Sequence, residues 1–114
     1  IDEPIIKNQL LIKNQTLKFL KNSMKVVASI GTAKNLSNLK NFKIYAKTGT
    51  AQTRNLNQKK CDKIHQAHAW FAAYFKYKNF EPKTVVILIE HAGTTRPVMK
   101  FAELFFKEFQ NLKK

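Results

Sequence analysis

Residues 68–77, HAWFAAYFKY, are rich in aromatic side chains and residues 84–90, TVVILIE, in β-branched ones, and only a short connection containing Pro82 separates them. Such runs favour strands. A link from Asn79 to Lys83 has room for a turn and not for a crossover helix, so the two strands are predicted to be antiparallel. The run TVVILIE is apolar without interruption, which predicts a central strand covered on both faces.

The remaining elements follow from periodicity. Leu17, Leu20, Met24 and Val27 recur at spacings of three and four, with Lys18, Lys21 and Lys25 off that face, so residues 15–30 read as a helix. Asn14 is suited to cap its start and Gly31 to end it. Residues 43–53 read as a first strand, and residues 54–66 as a polar loop or long hairpin connection. Thr94 and Thr95 are placed to cap a last helix with Pro97 in its first turn. On that helix Val98, Phe101, Phe105, Phe109 and Leu112 mark an apolar stripe, and Glu103 with Lys107 form a surface pair. The expected fold class is α+β: a three-stranded antiparallel sheet with N- and C-terminal helices on one face. No linker or repeat divides residues 1–114.

Composition sets limits on function. With 44% hydrophobic residues and nine Phe among 114, the chain can fold around a modest core and is too apolar for a disordered tail. No apolar run approaches the roughly 20 residues of a membrane span. The formal charge of +14 invites a nucleic-acid reading. Yet only Arg54 and Arg96 are arginines and the lysines are scattered, which describes a solvated surface instead of a phosphate-binding block. No nucleic-acid partner is expected.

The chemistry is concentrated in KTGTAQ, residues 47–52, on the first predicted strand. A strand that lines a cleft must offer several donors to a carboxylate and a carbonyl at once. Lys47 supplies a cation, and Thr48 and Thr50 supply hydroxyls. Gly49 lets substrate backbone approach closely enough to pair as an added strand, and the N–H of Thr50 can serve as an oxyanion donor.

Together with MKVVASIGTAKNL at 24–36, KIYAKTGTAQ at 43–52, HAWFAAYF at 68–75 and TVVILIEHAG at 84–93, the motif resembles the C-terminal third of a class B penicillin-binding protein transpeptidase domain, most closely its elongation-type members. The resemblance runs from about Ile12 to Lys114, with one local departure at Ala46, where the family often has Gly. It implies the C-terminal portion of a penicillin-binding transpeptidase and serine β-lactamase-like fold. It further implies acyl transfer between peptidoglycan stem peptides, acylation by β-lactams, and a site on the periplasmic side of a bacterial inner membrane, in a role in cell shape. The implied partners are a glycan polymerase, an elongation-complex scaffold and the upstream remainder of the domain. Lys47, Thr48, Gly49 and Thr50 are the implied substrate-binding residues, with Thr50 also the catalytic oxyanion donor. No cofactor is implied.

The nucleophile of that family belongs to an SxxK motif, with an SxN motif also upstream of KTG. The serines here are Ser23, Ser29 and Ser37; none begins SxN, and the match Ser37-Asn38-Leu39-Lys40 lies in a polar stretch just before the KTG strand. A nucleophile needs a helix N-terminus with the Lys one turn on, so the nucleophilic Ser and general-base Lys are expected to be absent from this chain. Alone, the chain is expected to be inactive and to leave one sheet face and the KTG edge uncovered.

Competing readings are a fragment of a class D type β-lactamase or sensor, and a small basic nucleic-acid-binding module. Cys61, His65 and His68 have ligand types and spacing that could hold zinc, but a strand puts His68 out of line and a fourth ligand is lacking, so no metal is assigned. A lone Cys excludes an intrachain disulfide. Glu90 and His91 are adjacent and point to opposite faces of a strand, so neither is given a catalytic role.

Overall fold

The computed structural model describes residues 8–53 and 62–113. Helix α1 spans Asn14–Ser29, and strands β1 (Phe42–Ala51), β2 (His68–Tyr77) and β3 (Lys83–Ile89) precede helix α2 (Arg96–Leu112). Short 3-10 turns lie at Lys34–Asn38 and Lys63–His65. The fold is α+β, with an antiparallel sheet in the order β1-β2-β3.

Helix α1 begins one residue earlier than Asn14 would cap it. Lys13 is the extended residue at the cap position, its carbonyl accepts the first helical bond from Leu17 at 3.1 Å, and no side chain caps the end. The predicted stripe is real but sparsely covered among the described residues: Leu17 and Leu20 are exposed, Met24 and Val27 are half-buried, and only Ala28 is buried. At the other end the N–H groups of Ile30 and Gly31 both donate to the Val26 carbonyl, at 2.9 and 3.2 Å. A Cβ on Gly31 would stand 2.8 Å from the Val27 Cα, so the glycine is required there by close approach. The segment that follows reads as polar in sequence, yet Ala33 and Leu36 are buried core residues.

Antiparallel register decides which side chains share a face. Ile44 faces Phe75, Ala46 faces Ala73 and Thr48 faces Phe71, while Ala73, Phe71 and Ala69 face Val85, Ile87 and Ile89 on the other side. This face carries the core, joined by Ala28, Ala33 and Leu36 and by Val98, Met99, Ala102 and Phe106 of α2. The opposite face presents Tyr45, Lys47, Gly49, Trp70, Tyr74, Val86 and Leu88. On that side Lys21 of α1 reaches over the Tyr74 ring, 5.8 Å from its centroid. The helix therefore straddles the β1 margin, its last turn in the core and its middle beside the second face.

Two expectations are corrected by the packing. Strand β3 is not central and not covered on both faces: β2 is the middle strand, and Val86 and Leu88 are 58% and 42% exposed. The apolar run hides a half-buried edge strand because both parities are apolar. On α2 the buried line is Val98, Met99, Ala102 and Phe106, with Phe105 and Phe109 beside it, whereas Phe101 and Leu112 are exposed. The rotation is set by β1 and β2, whose Phe42 and Phe75 rings hold Phe106 at centroid distances of 5.3 and 5.0 Å. Thr95 occupies the cap position without a side-chain bond, and the Thr94 hydroxyl accepts from the Arg96 N–H at 3.4 Å instead. The pair Lys107–Glu103 forms at 4.0 Å.

Candidate functional site

KTGT occupies the second half of β1, the strand at one margin of the sheet. Pairing with β2 alone leaves the outer backbone edge of β1 without a strand neighbour among the described residues. Alternation then divides the motif. Lys47 and Gly49 lie on the Trp70 face; Thr48 and Thr50 lie on the α2 face.

The four residues differ in their surroundings. Lys47 is exposed, and its Nζ donates to the Thr48 carbonyl. Thr48 is 7% exposed, and its hydroxyl shares a 2.8 Å hydrogen bond with the Thr32 hydroxyl, which follows the last turn of α1. Thr50 is exposed near the end of the strand, opposite Ala69. Gly49 has no positive φ, and a Cβ there would meet the Trp70 Cβ at an ordinary 3.6 Å. The fold itself gives no reason for a glycine at this position, where glycine weakens a strand.

Beyond Ala51 the chain is tied back. The Thr53 hydroxyl donates to the carbonyls of His65 and Gln66, at 2.9 and 3.2 Å, which pins the exit of β1 to the entry of β2. An open groove on the Thr32 side of the Thr32–Thr48 pair is lined by Thr32, Lys34, Thr94, Arg96, Lys100 and Glu103.

The other sequence candidates are separated by the fold. Ser37 lies within the 3-10 turn Lys34–Asn38, and its hydroxyl donates to the Lys34 carbonyl at 2.7 Å, so it is not at the start of a helix facing KTG. Of the Cys61, His65 and His68 set, Cys61 lies outside the described residues. His65 Nδ1 sits 4.0 Å from an Asp62 carboxylate oxygen, whereas His68 Nδ1 accepts the His91 backbone N–H at 2.9 Å. No group of three or more metal-ligating side chains gathers among the described residues. Glu90 and His91 follow β3 in a turn, where His91 takes a left-handed φ of 52°.

Thr32 is the residue that sequence reasoning missed. It contacts Thr48 sixteen positions away in the chain, and no motif spacing announces a contact made only by tertiary packing.

Two helices and a three-stranded antiparallel sheet, with a Lys-Thr-Gly strand at the margin, form an α+β fold consistent with a fragment of a transpeptidase domain. The sequence model of the family described as penicillin binding protein transpeptidase domain matches residues 2–108, and the chain belongs to that family. The family implies acyl transfer in cell-wall cross-linking and interaction with peptidoglycan stem peptides and β-lactams. No curated protein and no solved structure matches the chain. Among the described residues no helix is long and apolar enough to cross a membrane.

Proposed function

We propose that this chain is the C-terminal segment of a D,D-transpeptidase domain of the penicillin-binding protein 2 kind, contributing the KTG strand while the rest of the domain contributes the nucleophile. The observation that carries the reading is Gly49: an exposed-margin strand holds a glycine that the fold does not need, beside Lys47 and two threonines. A substrate backbone laid along the β1 edge gives that glycine a purpose.

The reaction is a two-step acyl transfer. A serine outside residues 1–114 attacks the carbonyl carbon of the D-Ala-D-Ala amide; the C–N bond breaks, D-Ala leaves with a proton, and an acyl ester remains. An amine of a second stem peptide attacks that ester, forms the new amide and returns the proton to the serine. In this scheme the Lys47 cation and the Thr48 hydroxyl organise the cleft, and the Thr50 hydroxyl binds the terminal carboxylate. The Thr50 N–H stabilises the oxyanion. A β-lactam acylates the same serine. The same reading puts the protein on the periplasmic side of the inner membrane, alongside a glycan polymerase and an elongation scaffold.

The test is the intact mass of the cellular protein that carries this chain, with and without a slowly hydrolysed penicillin, followed by peptide mapping of the adduct. A stable adduct on a serine outside residues 1–114 is expected. An adduct on Ser37, or none at all, overturns the reading; rapid loss of the adduct by hydrolysis points to a β-lactamase.

A further inference from the structure

We infer that Thr32 is a positioning residue for the anionic end of the substrate, acting through Thr48. The inference rests on the transpeptidase reading above and adds a residue that the KTG motif does not contain. The hydroxyls of Thr32 and Thr48 are 2.8 Å apart, and Thr48 is 7% exposed, so its rotor has few other partners. A hydroxyl has one proton to give and two lone pairs to accept with. If Thr48 spends its proton on Thr32, it has none to add beside the Thr50 hydroxyl that binds the carboxylate in the scheme above. With Thr32 as donor, the Thr48 proton points onward to the substrate, and the bond it accepts strengthens the bond it donates.

The position of Thr32 is fixed from both sides. Gly31 packs its backbone against Val27 so closely that a Cβ would stand 2.8 Å from the Val27 Cα, and the Ala33 N–H donates to the Val27 carbonyl at 3.2 Å. Ala33 is wholly buried in the core. The end of α1 therefore delivers one hydroxyl to one strand position.

The experiment compares acylation rates of the complete protein carrying Thr32→Val, Thr32→Ser, Thr48→Val and the double change Thr32→Val/Thr48→Val, each against a penicillin and its methyl ester. One neutral hydrogen bond corresponds to about fivefold to tenfold in rate. Thr32→Val is expected to slow acylation by the free acid by about that factor and to leave the ester rate unchanged, because the ester lacks the anion. Thr32→Ser keeps the hydroxyl and stays within about twofold of wild type. The double variant is no slower than Thr48→Val, because both changes break one chain. Equal slowing of acid and ester by Thr32→Val, failure of serine to restore the rate, or multiplied effects in the double variant each overturn the positioning role. Unmodified wild-type protein overturns the transpeptidase reading and the role with it, whereas normal acylation with an inert Thr32→Val overturns the role alone.

Discussion

The backbone N–H of His91 donates to Nδ1 of His68 at 2.9 Å, and the two imidazole rings meet edge to face with centroids 4.8 Å apart. His68 is the first residue of β2 and lies opposite Ala51, the last residue of the KTG strand. His91 closes the turn after β3. The contact therefore fastens the route into α2 to the end of the sheet where the candidate site lies, a function in the fold that neither histidine reveals by its spacing.

Replacing that acceptor tests the bond. His68→Phe keeps a ring and leaves the His91 N–H without its partner, and is expected to destabilise by about 1 kcal/mol. His68→Asn offers a side-chain oxygen near the place of Nδ1 and is expected to lose less than half of that. Chemical denaturation of both variants decides it; equal losses would mean that ring packing alone holds the turn.

Phe106 and Phe101 sit five positions apart on α2 with opposite fates. Phe106 is wholly buried against Phe42, Phe71 and Phe75, and Phe101 is 57% exposed. Phe106→Ala is expected to cost about 3–5 kcal/mol. Phe101→Ala should stay within about 0.5 kcal/mol if its surroundings are those seen here. A large loss at Phe101 in the complete protein would reveal a neighbour that covers it there.

Gly49→Ala separates fold from function. The added Cβ meets Trp70 at ordinary contact distance, 3.6 Å, so thermal stability is expected to hold or rise slightly. On the transpeptidase reading the same methyl obstructs substrate at the strand edge, and penicillin acylation should fall by about tenfold or more. Unchanged acylation would remove Gly49 from the site.

Gly31→Ala makes the contrasting case. Its Cβ would press within 2.8 Å of the Val27 Cα and 3.0 Å of the Val27 carbonyl oxygen, both backbone atoms that cannot swing aside. A loss of about 1–3 kcal/mol is expected, as for overpacking elsewhere. Melting the two alanine variants side by side gives the check, since only Gly31→Ala should lower the midpoint.

Val86 and Leu88 report on what lies over the second sheet face. They are 58% and 42% exposed on the side shared with Trp70 and Tyr74. Val86→Thr is expected to change stability by less than about 0.5 kcal/mol where the face is bare, and by about 1–3 kcal/mol where polypeptide covers it and the hydroxyl is stranded. Measuring the variant in residues 1–114 and again in the complete protein distinguishes the two, and equal small effects in both would argue against a covering segment.

Local chemistry made much of this protein legible in its sequence. Aromatic enrichment gave β2 its limits at His68 and Tyr77, the three-four spacing gave both helices, and the short link around Pro82 gave the antiparallel pairing. The placement of KTGT on a single strand was legible for the same reason, since a strand needs only neighbours in the chain. What the sequence could not decide was which neighbours each face would meet. TVVILIE is apolar at every position, so periodicity could not tell an edge strand with one covered face from a central one with two; the pairing order decided it. The phenylalanines of α2 fit more than one stripe, and the rings of Phe42 and Phe75 chose the one through Phe106. Ala33, Leu36 and Thr32 lie in a stretch without periodicity, and the burial of Ala33 and Leu36 and the Thr32–Thr48 bond arise only because the end of α1 is brought against β1. Backbone preferences act over a few residues and are written locally; side-chain partners are chosen across the fold, by packing that couples positions far apart in the chain.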